Sequence, residues 1–215
     1  VALIIVSIGF NSCKTQKETT SSATVETYVD ESETELDIIE ERPVYRAANT
    51  RTFDLIHTSL DVRFDWEKQQ LMGKAELSLK PYFYSTDQLV LDAKGFDLRA
   101  VSLKKGDKLT ALKYTYDNEK IYIELDKKYN RDETLSIWVD YVAKPEELEA
   151  EGSAAIMDAK GLYFINPKGE EKDKPKQIWT QGETESSSCW FPTIDSPNEN
   201  TTQEIKITVD SRYVT

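Results

Sequence analysis

The sequence is poor in the residues that build metal sites and disulfide frameworks. It holds one histidine, His57, and two cysteines, Cys13 and Cys189. An ordinary zinc site needs several imidazole or thiolate ligands at close spacing, and two distant cysteines in unrelated contexts do not make a disulfide framework. His57 falls in a predicted strand without metal-ligand-like neighbours, so we expect it to be a structural residue. No metal is therefore expected to bind this chain.

Positive charge is also in short supply, because 27 lysines and arginines face 39 aspartates and glutamates. The formal net charge is −12 and the isoelectric point is near 4.7. Binding to a nucleic-acid backbone needs basic residues clustered on one face, so no nucleic-acid partner is expected. The sequence also lacks an uninterrupted apolar run of about 18 residues, the length at which a membrane-spanning helix becomes a candidate.

Residues 1–13 resemble the processing region of a bacterial lipoprotein. Residues 1–10 are almost wholly apolar, which suits the hydrophobic part of a signal peptide and is too short to span a bilayer. The small residue Ser12 precedes Cys13, which would carry the lipid, although Phe10 stands where leucine is usual. A plain secretory signal and a buried strand are the alternatives. Lipidation implies a bacterial cell-envelope protein, lipid-anchored or periplasmic or secreted, that meets the membrane only through its anchor.

Residues 14–50 have the composition of a disordered acidic tether. Within them, residues 14–41 contain nine acidic and two basic side chains together with many serines and threonines. Such a segment has too little apolar surface to offset the entropy that it would lose on ordering. A flexible coil of this kind would reach roughly 30 Å on average, enough to lift a domain off a membrane surface.

Residues 51–215 show a hydrophobic pattern that predicts one β-domain. Four sets of apolar side chains alternate with polar ones and share a face: Ala75, Leu77 and Leu79; Ile121, Ile123 and Leu125; Leu135, Ile137, Val139 and Tyr141; Ile205, Ile207 and Val209. This alternation is typical of half-buried antiparallel strands. Between Phe53 and Phe64 the alternation changes phase, which predicts a β-bulge near His57–Ser59.

Turn signals separate the predicted strands at intervals of about 10–12 residues. Lys105-Gly106-Asp107 and Asp117-Asn118 offer residues that tolerate positive φ, as hairpin turns require. No long helix is predicted, and residues 145–150 suit at most a single helical turn. The pattern predicts an all-β fold, an antiparallel, saddle-like β-sandwich or open barrel, preceded by a disordered N-terminal tail.

The segment from residue 177 to residue 197 carries the residues with the clearest chemical potential. Gln181 and Glu183 are one residue apart, so in an extended backbone their side chains point to the same side. A carboxylate and an amide that face one point suit a substrate ammonium group. Gly182 between them allows close approach of another backbone or a ligand. The plainer interpretation is a polar loop on a β-domain.

This segment resembles the end of the N-terminal domain of the aminopeptidase N family of zinc metallopeptidases. The match consists of Thr180-Gln181-Gly182-Glu183 and of the turn Phe-Pro-x-x-Asp-x-Pro, formed by Phe191, Pro192, Asp195 and Pro197. The similarity extends over roughly residues 52–210, but only residues 180–197 are specific. One departure is visible, because many members have basic residues where this chain has Cys189 and Trp190.

The resemblance implies a role for each of the two polar residues. Glu183 would bind the free α-amino group of a peptide substrate, and Gln181 would line the pocket for its first side chain. The zinc-binding His-Glu-x-x-His motif of the family is absent, so the resemblance implies zinc only in a longer parent protein. In that parent the zinc would be bound by a downstream catalytic domain, which is also the partner implied for this β-domain. The chain alone is expected to be inactive.

The sequence allows three further interpretations besides this one. An acidic, aromatic-rich β-sandwich could be a non-catalytic module that binds carbohydrate or protein, and the parent could be an inactive family member. Ser187-Ser188-Cys189-Trp190 also resembles the nucleophile segment of papain-type proteases. That interpretation is rejected because no histidine follows Cys189 to act as its base, and we expect Cys189 to be a small buried residue.

Overall fold

A computed structural model describes residues 50–149 and 159–215, and these residues form an almost entirely β structure. The strands are β1 (Phe53–Asp65), β2 (Gln70–Pro81), β3 (Thr86–Asp92), β4 (Phe96–Lys105), β5 (Lys108–Ala111), β6 (Lys113–Tyr116), β7 (Lys120–Tyr129), β8 (Leu135–Ala143), β9 (Leu162–Ile165), β10 (Gln177–Thr180) and β11 (Thr202–Thr208). Single 3-10 helical turns lie at Pro145–Glu147 and Ser187–Cys189. The predicted all-β class is confirmed.

The strands form two main sheets and a small hairpin. The larger sheet has the order β11-β1-β2-β8-β4-β5, the smaller has the order β3-β7-β6, and β9 pairs with β10. Apolar side chains of both main sheets belong to one buried cluster, for example Leu77 and Ile137 from the larger sheet with Leu91 and Ile121 from the smaller. The two sheets therefore pack face to face as a sandwich.

Three of the four predicted strand faces are buried as expected. Ala75, Leu77 and Leu79 of β2, Ile121, Ile123 and Leu125 of β7, and Leu135, Ile137, Val139 and Tyr141 of β8 all lie in the core. Their strands are central or covered, and each pairs antiparallel with its neighbours. The period of two in the sequence therefore matches the pleat of the strands that carry it.

The phase change in β1 is a β-bulge, as predicted, but it lies slightly earlier in the chain. The register between β1 and β2 shifts between Leu55 and His57, so Ile56 is the extra residue. Phe53 and Leu55 point into the core before the bulge, and Leu60 does so after it. The bulge returns both halves of a long strand to the same buried face.

The predicted antiparallel pairing is wrong for β11. β11 pairs with β1 in parallel, in a register that sets Leu60 opposite Ile205. Ile205 and Ile207 are 46% and 43% exposed, so this face is less buried than the other three. The alternation predicted which side chains share a face, but β11 is an edge strand of the larger sheet.

The predicted hairpin turns are present. Asn118 has a φ of 75° between β6 and β7, and Gly106 has a φ of 60° between β4 and β5. The predicted signal segment 1–13 with Cys13, the tether except for residue 50, and residues 150–158 lie outside the described residues. No helix among residues 50–149 and 159–215 has the length and apolar character needed to cross a membrane.

Candidate functional site

The hairpin of β9 and β10 delivers the Gln181–Glu183 segment to the surface of the domain. The exposed ring of Trp179 on β10 stacks on Tyr163 of β9 with centroids 4.6 Å apart and planes 16° from parallel. Just after β10 ends at Thr180, the backbone N–H of Gln181 donates to the carbonyl of Gly161 at 2.9 Å. The polar segment therefore begins on a strand whose position is set by pairing and ring stacking.

Gln181 and Glu183 lie side by side in the structure. The Gln181 Nε2 atom is 3.4 Å from the Glu183 Oε2 atom. Glu183 is exposed and Gln181 is partly exposed. Among the described residues, no lysine or arginine forms an ion pair with the Glu183 carboxylate. The site thus presents an uncompensated negative charge beside an amide that can both donate and accept hydrogen bonds.

The backbone turns sharply after this pair of residues. The N–H of Ser186 donates to the carbonyl of Gly182 at 3.0 Å, and the Ser186 hydroxyl donates to the carbonyl of Glu183 at 3.3 Å. The peptide bond between Glu183 and Thr184 is cis. Ser186 is buried, so the loop that exposes Glu183 has an interior side that packs against the domain.

Gly161 makes that packing possible. Its φ is +72°, and a Cβ atom at this position would lie 2.0 Å from the carbonyl oxygen of Ser186 and 2.9 Å from the Cβ of Cys189. Only a residue without a side chain fits against both groups. The sequence pattern did not single out Gly161, because the residue that it packs against, Ser186, is 25 positions further along the chain.

Two aspartates fasten the segment after the turn to strand β3. Asp92 at the end of β3 exchanges backbone hydrogen bonds with Thr193, and its Oδ2 atom accepts the N–H of Asp195 at 2.9 Å. The Oδ2 atom of Asp195 in turn accepts the N–H of Ser188 at 2.8 Å. The aspartate of the Phe-Pro-x-x-Asp-x-Pro motif therefore acts on the backbone and holds the loop in shape.

Two lysines complete this attachment. The Lys94 ammonium donates to the carbonyl of Glu185 at 2.7 Å, and the Lys94 N–H donates to the carbonyl of Ser188 at 2.8 Å. The Lys120 ammonium forms an ion pair with Asp92, and this hydrogen bond raises the pKa of Lys120. Nothing in the strand pattern of the sequence marked Asp92, Lys94 or Lys120, because their role depends on a loop about 100 residues away.

Cys189 is a buried thiol at the base of the loop. It is 1% exposed, and its Sγ atom lies 3.4 Å from the carbonyl oxygen of Ala159. Burial raises the pKa of the Cys189 thiol to about 11, so it is not an activated nucleophile at neutral pH. Trp190 and Phe191 next to it pack into the core with their rings in a T-shaped arrangement at 4.5 Å.

The described residues do not offer a zinc site. No group of three or more histidine, cysteine, aspartate or glutamate side chains within residues 50–149 and 159–215 is arranged to hold a metal ion. His57 lies on β1, where its Nδ1 atom is 2.7 Å from the Thr202 hydroxyl of β11. His57 thus links two strands of the larger sheet.

An apolar groove lies beside the candidate site. Its volume is about 480 Å³, and its walls include Trp179 of β10, Trp66 and the exposed isoleucines Ile205 and Ile207 of β11. The Trp66 ring stacks on Tyr213 at 5.1 Å. The groove therefore gathers exposed apolar side chains of β10 and β11 beside the polar segment.

Residues 45–215 match the family described as the Peptidase M1 N-terminal domain. No curated protein matches the sequence. Similar solved structures include a mutant M1 zinc metallopeptidase from Deinococcus radiodurans bound to a Tyr-Ser-Ala substrate, with 17% identity, a TM-score of 0.58, and coverage of 76% of this chain and 34% of that one.

Two further structures show the same likeness. A two-domain M1 zinc metallopeptidase mutant bound to L-arginine has 17% identity, a TM-score of 0.60, and coverage of 78% of this chain and 35% of that one. Native yeast LTA4 hydrolase has 18% identity, a TM-score of 0.56, and coverage of 80% of this chain and 26% of that one. At these identities the likeness shows a shared fold, and this chain spans 26–35% of the length of those proteins.

Proposed function

Because the chain belongs to the Peptidase M1 N-terminal domain family, we propose that it is the substrate-recognition part of a zinc-dependent aminopeptidase. In this proposal Glu183 binds the α-ammonium group of a peptide, and Gln181 contacts its first residue. The observation that carries the proposal is the exposed, uncompensated Glu183 carboxylate beside the Gln181 amide. The hydrogen bonds that fix the backbone of this loop support the proposal, because a binding group that is already held in position loses less entropy when its ligand binds.

The chemical step would belong to a part of the enzyme that this chain does not contain. Zinc, held by a downstream catalytic domain, would supply the activated water that attacks the peptide bond. The residues of this chain would fix the free amino terminus, so that only the first peptide bond is presented for cleavage. A carboxylate that requires a cationic partner gives this selectivity, because a blocked amino terminus leaves the charge unpaired.

We propose that the apolar groove is where the catalytic domain packs. The groove contains Trp179 on the strand that leads directly to Gln181 and Glu183. It also contains Ile205 and Ile207 of the edge strand β11, which are 46% and 43% exposed. A partner seated there would bury these side chains and lie against the amine-binding segment. Burial would also remove water from around Glu183 and strengthen its attraction for an ammonium group.

The experiment that tests the amine role is Glu183→Ala in the full-length enzyme. Loss of one partner of a buried ion pair costs roughly 3–5 kcal/mol, so kcat/KM on an unblocked dipeptide amide should fall by about two to three and a half orders of magnitude. The matched control is Glu185→Ala, since Glu185 is also exposed and contributes only its backbone carbonyl to the loop. Near wild-type activity of Glu183→Ala would reject the assignment.

A second candidate function is a non-catalytic binding module, and one observation favours it. The Trp179 ring is 46% exposed and stacks on Tyr163, an arrangement that could receive the face of a sugar. Calorimetric titration of the chain with cell-wall oligosaccharides separates the two functions. Sugar binding that disappears in Trp179→Ala would favour the binding module. If Trp179 instead packs against a catalytic domain, the chain should bind no sugar.

We further propose that Cys13 is lipidated and that the protein works in the bacterial cell envelope. The proposal rests on the apolar residues 1–10 followed by Ser12 and Cys13. Expression in a bacterial host with radiolabelled palmitate should label the wild-type protein and not Cys13→Ser. Equal labelling of the two proteins, or labelling of neither, would contradict lipidation.

A further inference from the structure

The connection between β2 and β3 exposes a cluster of aromatic side chains. Phe83 is 62% exposed and Tyr84 is 87% exposed. The rings of Tyr82 and Phe83 are T-shaped with centroids 4.5 Å apart, and the Phe83 and Tyr84 centroids are 6.5 Å apart. The group, called here the aromatic loop, comprises residues 82–84. Large aromatic side chains that are mostly exposed, as Phe83 and Tyr84 are, contribute little buried surface to the stability of the fold.

The strand registers place the aromatic loop at the end of the larger sheet where the chain enters the domain. Phe53 at the start of β1 pairs with Pro81, and the N–H of Tyr82 donates to the carbonyl of Thr52 at 2.9 Å. The Arg51 guanidinium lies over the Tyr82 ring at 4.5 Å. Residues 51–53, at the start of the described part of the domain, therefore lie directly beside the aromatic loop.

Two other chain segments meet at the same end of the sheet. Leu79 pairs with Leu135, which brings in the turn between β7 and β8, and Lys104 pairs with Ser136, which brings in the turn between β4 and β5. The loop and these turns thus form one surface, called here the loop end. It consists of residues 51–54, 80–87, 104–108 and 126–135.

The loop end differs in charge from the rest of this acidic protein. Its four ranges hold eight lysines and arginines and six aspartates and glutamates, and Glu199, which pairs with Arg51, adds a seventh acidic residue, whereas the whole chain has 27 basic and 39 acidic residues. Lys108, Lys128 and Arg131 are exposed there and make no ion pair with any residue in the described ranges. Exposed basic residues around aromatic side chains suit a surface that carries negative lipid headgroups, because each group finds its preferred depth at the interface.

We propose that the loop end rests on the membrane, with the aromatic loop inserted among the lipid headgroups and Lys108, Lys128 and Arg131 facing anionic lipids. This contact would add to the lipid anchor that we propose at Cys13, and it would orient the domain rather than hold it alone. Tyrosine and phenylalanine suit this position, because their rings enter the interface while the tyrosine hydroxyl remains hydrated.

The test measures how accessible Tyr84 is when the chain is held at a membrane. The 215-residue chain is coupled through Cys13 to a maleimide lipid, and the buried Cys189 is not expected to react. The vesicles contain three parts of phosphatidylethanolamine and one part of phosphatidylglycerol. Nitration of tyrosines is then followed by mass spectrometry, with Tyr114 and Tyr122 as internal controls, which are 37% and 40% exposed.

Coupling to vesicles should slow nitration of Tyr84 by at least about fivefold relative to the free chain, and that of the two control tyrosines by less than about twofold. The charge-reversed variant Lys128→Glu/Arg131→Glu should lose most of this protection. Lys128 near the end of β7 and Arg131 in the turn that follows are both exposed and form no ion pair with a described residue, so the substitutions should leave the fold intact. Equal nitration of Tyr84 with and without vesicles would overturn the proposal and favour a protein or glycan as occupant. Equal protection of all three tyrosines would overturn it too.

Because the coupling is chemical, the outcome does not depend on whether a cell lipidates Cys13. It also does not depend on peptidase activity or on Glu183. Failure of this test therefore leaves the proposed amine recognition standing, and failure of amine recognition leaves the membrane contact standing.

Discussion

The Oδ2 atom of Asp92 accepts the backbone N–H of Asp195 at 2.9 Å, across 103 positions of sequence. This single hydrogen bond joins the end of a core strand to the loop that follows the candidate amine-binding residues. Asp195 passes the restraint on to Ser188, whose N–H its own carboxylate accepts. The loop that carries Glu183 is thus held by a side chain that lies in a different part of the chain.

Removing the Asp92 side chain should loosen the loop. Asp92→Ala deletes the acceptor for Asp195 and leaves Lys120 without its partner, which should lower the free energy of unfolding by about 1–3 kcal/mol. Hydrogen–deuterium exchange of residues 186–196 should rise by more than that of β2 and β8. Asp87→Ala, on the same strand, is the control and should leave the loop exchange unchanged. Unaltered exchange in Asp92→Ala would show that the backbone bonds to Thr193 suffice.

Gly161→Ala should be among the most destabilising small substitutions in this protein. The new Cβ would lie 2.0 Å from the Ser186 carbonyl oxygen, and the backbone φ of +72° is itself strained for alanine. Gly169 has the same φ of +72°, but no atom lies within 4 Å of the position that a Cβ would take there. Gly169→Ala should therefore cost about 1–2 kcal/mol, and Gly161→Ala clearly more. Urea unfolding of both variants measures the difference, and equal costs would contradict the predicted clash.

Loss of the hydroxyl group should change the free energy of unfolding differently at Tyr141 and at Tyr116. The Tyr141 hydroxyl is buried without a hydrogen-bond partner among the described residues, and burial raises its pKa. The Tyr116 hydroxyl accepts the Phe96 N–H at 2.7 Å and donates to the Ala93 carbonyl at 3.0 Å. Tyr141→Phe should be neutral or stabilising, whereas Tyr116→Phe should cost about 1–3 kcal/mol. A large destabilisation by Tyr141→Phe in thermal unfolding would reveal an unrecognised partner.

Glu76 should contribute stability that disappears in acid. It forms an ion pair with Lys104 of β4 and accepts the Ser136 hydroxyl of β8 at 2.9 Å. Burial is the largest single influence and tends to raise the pKa of Glu76. The two hydrogen bonds, together with the nearby charges of Lys104 and His57, outweigh it, so the pKa is lowered. A lowered pKa in the folded state means that the contribution is present above the ordinary value of 4.5. It is lost as the pH falls through the lower folded value.

The variant Glu76→Gln measures this contribution. At pH 7 it should be less stable than the wild type by about 1 kcal/mol or less, because the ion pair is partly exposed. The difference should shrink as the pH drops below about 4.5. Glu124→Gln, an exposed change on β7, is the control and should give a small difference that does not vary with pH in this way. A Glu76→Gln deficit that stays constant into acid would contradict the assigned pKa shift.

The strand faces show what an alternating hydrophobic pattern can predict about burial and what it cannot. Leu77 in β2 and Ile205 in β11 belong to equally regular alternations, yet Leu77 is fully buried and Ile205 is largely exposed. A period of two dictates which side chains share a face, because the backbone geometry of a strand is local. Whether something covers that face depends on which strands pair, and pairing partners are distant in sequence. The parallel pairing of β11 with β1 was missed for the same reason.

The bulge in β1 could be predicted from the sequence because a bulge depends only on neighbouring residues. An extra residue shifts the phase of the alternation, and the shift is readable as soon as Phe53 and Leu60 must face the same core. The exact residue, Ile56, is decided by the register with β2. The closeness of Gln181 and Glu183 was also predicted from the sequence, but the extended backbone assumed for it ends at Thr180, and Glu183 already lies in the turn that follows.

The sequence by itself determined the all-β class, the faces of the central strands and the pair of polar residues after β10. Each follows from neighbours within a few positions, whose geometry the covalent backbone dictates. Tertiary structure alone decided the rest: that Gly161 must lack a side chain, that Asp92 and Lys94 hold the loop, and that an aromatic loop stands beside the start of the domain. Those relationships join residues far apart in the chain, and only the packing of the sheets brings them within contact distance.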